Sequence, residues 1–371
     1  MLFSEFDFHS KIAAGIRACG YTQPTPIQEQ AIPHALNGGD VMGLAQTGTG
    51  KTAAFALPIL ERLLEGRRGH PRSLILAPTR ELAEQTFEFM QPFCRKTGLR
   101  AVTVYGGVSK PAQAARIRSG VDIIVACPGR LLDLVNDRAV NLSRIQSLVL
   151  DEGDRMLDMG FMPDIRRILQ QLPNQRQNML FSATMPADIR HLAEEILQEP
   201  AWIQIDHEQP LENITQCLYP VQRQPKSEML LALLGQKKDE ATLVFTRTKH
   251  MATKLAKRLS SAGLRARDLQ GNMSQNNRRR VLQDFKSGRF NILVATDVAS
   301  RGIDVTRIGH VINYDMPDTA ENYTHRIGRT GRASRSGQAS SFVESKDFRL
   351  VKAIERSQDR RLRRMSLKPA A

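Results

Sequence analysis

The sequence predicts an α/β protein of two tandem domains, each a parallel sheet flanked by helices. Three observations carry that expectation. Short β-branched runs recur between longer helical stretches, polar motifs follow many of those runs, and 371 residues suit two ordinary cores better than one. Strands are expected near residues 41–44, 74–77, 102–105, 123–126, 148–150 and 179–181, and again near 243–246, 292–295 and 311–314. Strands alternating with helices imply parallel sheets covered on both faces, with ligands held outside the carboxyl ends of the strands. Residues 207–215 read HEQPLENIT, polar, with one proline and no strand or helix period. They are expected to link a first domain, 1–206, to a second, 216–371.

Lys and Arg number 53 against 38 Asp and Glu, a formal net charge of +15. That excess favours a polyanionic partner, because each neutralised phosphate releases condensed counterions. A solvated basic surface accounts for the charge equally well. Arg278-Arg279-Arg280 and the stretch from Arg349 to Lys368 are locally dense. The four cysteines, Cys19, Cys94, Cys127 and Cys217, are far apart and form no C-x-x-C pair, which argues against a zinc site or disulfide framework and fits a reducing cytosol. No apolar run approaches the roughly 18 residues that span a bilayer. Glu5 and Asp7 close behind Met1 do not fit a secretory leader. A soluble, cytoplasmic protein with no membrane partner is expected.

The sharpest local signal is Ala45-Gln46-Thr47-Gly48-Thr49-Gly50-Lys51-Thr52, between an expected strand and an expected helix. It follows the phosphate-binding pattern G-x-x-x-x-G-K-[ST], with Ala45 in place of the first glycine. Glycines let backbone N–H groups turn onto phosphates, Lys51 reaches the β- and γ-phosphates, and the Thr52 hydroxyl ligates Mg²⁺. About 100 residues on, Asp151-Glu152-Gly153-Asp154 follows Leu148-Val149-Leu150. An aspartate there holds Mg²⁺, and the adjacent glutamate orients and deprotonates the attacking water.

With these motifs in place the chain resembles the DEAD-box RNA helicases over nearly its whole length, which implies two RecA-like domains using ATP and Mg²⁺ on RNA. The resemblance extends to Gly20-Tyr21, Pro24-Thr25-Pro26-Ile27-Gln28 and the upstream Phe3. It implies that Gln28 reads the adenine edge and that Tyr21 stacks on the ring. Ser182-Ala183-Thr184 looks like the motif that couples the acidic residues to closure. His325-Arg326-Ile327-Gly328-Arg329-Thr330-Gly331-Arg332 supplies the arginines, whose period of three is expected to put several guanidinium groups at one edge. By resemblance Arg329 and Arg332 reach the γ-phosphate, where an arginine finger contributes roughly 10³–10⁵ in rate. Gly302 is implied near the attacking water, and Asp304 at the ribose.

The RNA-contacting motifs implied in the first domain are Thr79 and Arg80, Gly106-Gly107, and Cys127-Pro128-Gly129-Arg130. In the second they are Thr246, Gly271, Gln275 with Arg278, and Thr296. These residue types suit phosphate and 2′-OH better than bases, and aromatics make up only 5% of the chain, so no stacking platform is expected. The chain departs from the family at Ala45, at Gly153 for alanine, at Cys127 for threonine and at Asn272 for an acidic residue. Gly153 is expected to loosen the backbone around Asp154.

The implied mechanism is closure of two lobes on ATP and one RNA strand, with local release of the partner strand. Two rivals stay open: an ATP-gated RNA clamp that separates few duplexes, and a DNA motor of the wider superfamily, disfavoured by Gln28 and its neighbours. A non-enzymatic RNA-binding protein would require Lys51, Glu152 or Arg329 to be missing. The layout is most similar to the bacterial RhlE-like branch. A monomer is expected, and proteins of ribosome assembly or RNA decay are compatible partners.

Overall fold

Runs rich in Val, Ile and Leu that are too short for helices become strands buried on both faces, which requires helices above and below them. The computed structural model describes residues 1–46, 48–205, 213–221, 226–235, 240–297, 305, 307–331 and 336–366. The chain forms two units, Met1–His207 and Glu208–Ala371, each with its own seven-stranded parallel sheet.

In the first unit the strands are β1 (Val41–Leu44), β2 (Ser73–Leu76), β3 (Ala101–Val104), β4 (Ile123–Ala126), β5 (Ser147–Asp151), β6 (Gln177–Ser182) and β7 (Ala201–Gln204). Their order across the sheet is β3-β4-β2-β5-β6-β1-β7. Alternate residues face opposite sides, as a period of two dictates. Ile75, Val125, Val149 and Phe181 pack beneath the helices α1 (Ser10–Ala18), α2 (Pro26–Leu36), α3 (Lys51–Arg62) and α4 (Arg80–Thr97). Leu74, Leu76, Ile124, Leu150 and Leu180 pack on the other face, against α5 (Lys110–Arg118), α6 (Pro128–Asn136), α7 (Gly153–Asp158), α8 (Met162–Leu169) and α9 (Ala187–Ile196).

The second unit contains β8 (Ile214–Pro220), β9 (Ala241–Phe245), β10 (Ala266–Leu269), β11 (Ile292–Ala295), β12 (Ile308–Asn313), β13 (Gly337–Val343) and the two-residue β14 (Arg363–Arg364), in the order β10-β11-β9-β12-β13-β8-β14. One face carries α10 (Lys226–Gly235) and α11 (Lys249–Ser261). The other carries α12 (Gln275–Lys286) and the helices Ala320–Ile327 and Phe348–Ser357.

The expected strands all form, but five others were not expected: β7, β8, β10, β13 and β14. The reason is clearest in β13, whose sequence GQASSFV lacks a β-branched run. Its buried serines are satisfied sideways, Ser340 by His310 at 2.9 Å and Ser341 by the Asn313 amide at 3.0 Å. Such a strand costs little to bury, because each polar group has a partner. The expected linker must be shortened at its carboxyl end, since Ile214 and Thr215 open β8 and pair with Gly337 and Gln338. Residues 206–212 of the expected boundary lie outside the described residues. No helix among the described residues is long and apolar enough to cross a membrane.

One ion pair pins the edge where the first sheet begins. Arg72, 1% exposed, reaches Asp122 Oδ1 at 3.1 Å and also donates to the carbonyls of Leu63 and Glu65 at 2.8 and 2.5 Å. Asp122 Oδ2 in turn accepts the Arg100 N–H at 3.0 Å. Asp122→Ala would leave a buried guanidinium uncompensated, and is expected to lower unfolding stability by about 3–5 kcal/mol in urea denaturation.

Candidate functional site

Parallel strands put every carboxyl end at one edge of the sheet, and the motifs gather there in two groups. Adjacent strands β5, β6 and β1 end in the acidic motif, in Ser182 and in the glycine-rich loop.

In that loop Gly48 and Gly50 both adopt φ +94°, a left-handed conformation that favours glycine. Gly50 caps α3, so Lys51 begins the helix, and its Nζ donates to the Ala45 carbonyl at 2.6 Å. Ala45 is buried and its N–H reaches the Ser182 carbonyl at 2.9 Å, so a small side chain is accommodated where the pattern has glycine. Thr49 closes the loop on Gln46 O at 2.8 Å. Thr52 follows Lys51 in the first turn of α3 and is half-buried. Thr47 lies outside the described residues.

The loop is also held from α2. The Thr25 hydroxyl donates to Thr49 O at 2.7 Å, and Gln28 Nε2 donates to Gly50 O at 3.0 Å. Gln28 Oε1 accepts the Thr25 N–H at 2.9 Å, the returning half of a capping box. Gln28, the residue implied to read adenine, therefore positions the phosphate loop as well. Thr25 was not among the expected site residues; the T-x-x-Q spacing before an apolar run was the available signal. Tyr21 is half-exposed, its ring 5.9 Å from that of the buried Phe3.

Asp151 ends β5 at 2% exposure, and its Oδ1 has no hydrogen-bond partner among the described residues. Burial pushes its carboxyl up, against the opposing charge of Lys51. A buried carboxylate oxygen without a donor, close to Lys51 at the start of a helix whose first turn carries Thr52, is the environment that a hard divalent cation satisfies, so these residues fit Mg²⁺. Glu152 takes φ 55° and ψ 55°, a strained position for a non-glycine residue that costs about 1–3 kcal/mol. Its carboxylate pairs with Arg155 Nη1 at 2.5 Å, both side chains nearly buried.

Asp154 is fixed by the neighbouring strand. Its N–H donates to Ser182 Oγ at 3.1 Å, and its Oδ2 accepts from Thr184 N and Thr184 Oγ1, each at 3.1 Å. The Asp154 that follows Gly153 is thus held by three bonds to Ser182 and Thr184. A Cβ built on Gly153 would come 3.0 Å from Leu180 Cδ1, so the glycine leaves room for the core beneath it.

The second group lies on β3, β4 and β2, again three adjacent strands. Thr79 caps α4 by accepting Leu82 N at 3.3 Å. Arg80 lies over the turn after β3: a Cβ on Gly107, at φ +81°, would overlap its guanidinium. Arg130 donates to Val108 O at 3.0 Å and to Gln113 Oε1 at 3.2 Å. The buried Gln113 amide also donates to Tyr105 O at 3.0 Å, so it sets Arg130 relative to the glycine turn. Nothing in its sequence context marked it. Thr79, Arg80, Gly107 and Arg130 thus come together at one half of the edge.

In the second unit the corresponding three adjacent strands β10, β11 and β9 end in Gly271, Thr296 and Thr246. Thr246 is buried and Gly271 exposed. Asp297, next to Thr296, is gripped by Arg326 through two bonds of 2.6 Å. Arg326 also donates to Asn313 Oδ1 and to Asp315 O, and lies 4.8 Å from the centroid of the Phe245 ring. This corrects the expectation drawn from the arginine period: Arg326 is buried and holds the unit together, and is not one of several guanidinium groups at an edge. Arg329 is buried in the turn that follows. Gly302, Asp304 and Arg332 lie outside the described residues, as does the side chain of Gln275.

Comparisons with known proteins place these motifs in a family. A model described as DEAD/DEAH box helicase matches residues 25–192, and one described as helicase conserved C-terminal domain matches residues 225–334. The ATP-dependent RNA helicase DeaD of Buchnera aphidicola is 44% identical over 358 residues, 96% of this chain and 59% of that protein. The DEAD-box ATP-dependent RNA helicase CshA of Streptococcus pneumoniae is 43% identical over 100% of this chain and 70% of its own. Among solved structures, Saccharomyces cerevisiae Dbp5 bound to RNA and ADP BeF3 superposes with a TM-score of 0.88 at 33% identity, covering 99% of this chain and 96% of that one. The chain belongs to the DEAD/DEAH box helicase family, and its two sheets are the tandem RecA-like domains of that family. It spans 59% of the length of DeaD.

Cys127 caps α6 without a side-chain hydrogen bond, and burial pushes its thiol up to about 12. Cys127→Thr supplies a hydroxyl at a cap with extended backbone. It is expected to raise stability by about 1 kcal/mol, read from the urea midpoint.

Proposed function

We propose that this chain is an RNA-dependent ATPase that separates short RNA duplexes or remodels RNA–protein complexes. The observation that carries the reading is the row formed by adjacent strand ends: Lys51 after β1, Ser182 and Thr184 after β6, and Asp151, Glu152 and Asp154 after β5, with Asp154 bonded to both hydroxyl residues. DeaD and CshA, named as ATP-dependent RNA helicases, support it.

In this reading Gln46, Thr47, Gly48, Thr49, Gly50, Lys51 and Thr52 cradle the phosphates of ATP, and Tyr21 and Gln28 take the adenine. Thr52 and Asp151 would hold Mg²⁺, which when bound neutralises charge on the phosphate oxygens. Glu152 orients a water and accepts its proton as the water attacks the γ-phosphorus, so ATP and water become ADP and phosphate. Arg329 and Arg332 of the second unit stabilise the charge on the transferred group, with Gly302 beside the water and Asp304 at the ribose. RNA is gripped by its backbone through Thr79, Arg80, Gly107 and Arg130 in the first unit, and through Thr246, Gly271 and Thr296 in the second. Opening and closing of the two units follows the nucleotide. The four cysteines are free, in keeping with a reducing cytoplasm.

Steady-state ATP hydrolysis is to be measured with no nucleic acid, with single-stranded RNA and with single-stranded DNA. RNA alone is expected to stimulate strongly, and Glu152→Gln to abolish the stimulated rate. Equal stimulation by DNA would favour a DNA motor, and hydrolysis without strand release would favour an RNA clamp. Because Asp154 is fixed by three bonds, Gly153→Ala should leave the RNA-stimulated rate within about threefold of the parent, the tight contact being with the movable end of Leu180.

A further inference from the structure

The edge of the first sheet opposite the motifs is also built as a basic surface. The loops entering β2, β3 and β4 lie side by side, since those strands are neighbours in the order β3-β4-β2. They are locked together from beneath by the Arg72–Asp122 pair and by the Asp122 bond to Arg100 N. On top, Arg68 donates to Thr97 O at 3.2 Å, and Arg100 donates to Ser119 O at 2.7 Å, so guanidinium groups bridge from loop to loop. The first and third loops touch: a Cβ on Gly120 would lie 3.3 Å from Gly69 Cα.

The charge on this platform is predominantly positive. Arg67 and Arg68 come from the first loop, Arg95, Lys96 and Arg100 from the end of α4 and the second loop, and Arg116 and Arg118 from the end of α5. All seven are exposed, and the one exposed carboxylate in these segments is Glu65. None of the seven forms an ion pair among the described residues. Elsewhere on the unit some cations do have acidic partners, as in Lys110–Asp137 at 2.6 Å and Arg166–Glu195 at 3.7 Å. Cations in the last turn of a helix offset its dipole, which explains one or two at α4 and at α5. It does not explain Arg67, which belongs to neither helix. The high fraction of arginine, with planar donors suited to phosphate, favours nucleic-acid backbone over a carboxylate-bearing partner.

We propose that this amino-terminal edge is a second RNA-binding surface, which takes the phosphate backbone of a duplex independently of nucleotide. It is separate from the Thr79–Arg80–Arg130 grip: β2 is four residues long, which at about 3.3 Å each puts roughly 13 Å of sheet between the two edges. The surface would hold structured RNA while the opposite edge works on a single strand. The proposal rests on RNA being the substrate, but its binding test does not depend on hydrolysis.

The test combines Arg67→Gln, Lys96→Gln, Arg116→Gln and Arg118→Gln, whose side chains form no hydrogen bond among the described residues and lie outside the proposed ATP and RNA grips. Binding of the whole chain to a blunt RNA duplex is measured without nucleotide across a salt series, with the thermal melt as a check on folding. The variant is expected to bind the duplex about tenfold or more weakly at low salt, and its log–log salt slope to become shallower by up to about 3.6, since each of four phosphate contacts contributes about 0.9. ATP hydrolysis stimulated by a short single strand is expected to be unchanged. Unaltered duplex affinity and slope would overturn the proposal and leave a solvated face. Binding of polyglutamate as tightly as duplex, lost in the same variant, would reassign the surface to an acidic protein. Absence of any hydrolysis with the duplex result intact would count against the helicase reading alone.

Discussion

Parallel pairing is the constraint on which the rest depends. Because every strand runs the same way, every loop that follows a strand emerges at one edge, and chemistry spread over more than 100 residues of sequence is gathered there without long excursions of the chain. The order β3-β4-β2-β5-β6-β1-β7 then sorts the loops. Nucleotide candidates occupy the β5-β6-β1 half and RNA candidates the β3-β4-β2 half. The second unit repeats the division, with β10, β11 and β9 in neighbouring places carrying its RNA candidates. The sorting is a property of topology, so it tolerates substitution of individual motif residues such as Ala45 and Cys127.

Within that arrangement the acidic motif is held by its neighbours more than by its own backbone. Glu152 occupies a left-handed conformation that a glutamate would not choose, and Arg155 together with the Asp154–Ser182–Thr184 bonds over-determine it. Strain of this kind persists only where the surrounding contacts supply more than it costs. The same bonds connect the ends of β5 and β6, so a displacement at Thr184 acts on Asp154 directly. This is a physical route by which a change at Thr184 reaches Glu152 and Asp151, two and three residues before Asp154.

Strands with an apolar, β-branched signal were legible from sequence, as were the phosphate loop and the acidic motif, because each is a short run of distinctive residue types. What escaped notice were residues whose importance lies in a long-range partner. Gln113 reads as an ordinary polar position on α5, yet its buried amide sets Arg130. β13 reads as a loop because its polarity is cancelled by His310 and Asn313, which lie 25 or more residues earlier. The arginine period suggested a row of equivalent groups, and only the fold separates Arg326 from Arg329.

That separation has a consequence for the second unit. Arg326 joins Asp297 at the end of β11 to Asn313 and the Asp315 carbonyl at the end of β12. Asp315 in turn accepts Arg247 N at 3.0 Å and Lys226 Nζ at 2.9 Å. The loops after β9, β11 and β12 are therefore one hydrogen-bonded body, and the helix carrying Arg326 is part of it. Arg329 lies three residues beyond Arg326 on the same turn, so a shift of these loops that moves Asp297 must either carry this turn with it or break two charge-assisted bonds of 2.6 Å to a buried guanidinium, which is the costlier course. Thr296 and Thr246, the proposed RNA contacts, and Arg329, proposed to serve the nucleotide, are thus mechanically one piece. The proposed RNA-dependent hydrolysis would draw on that coupling.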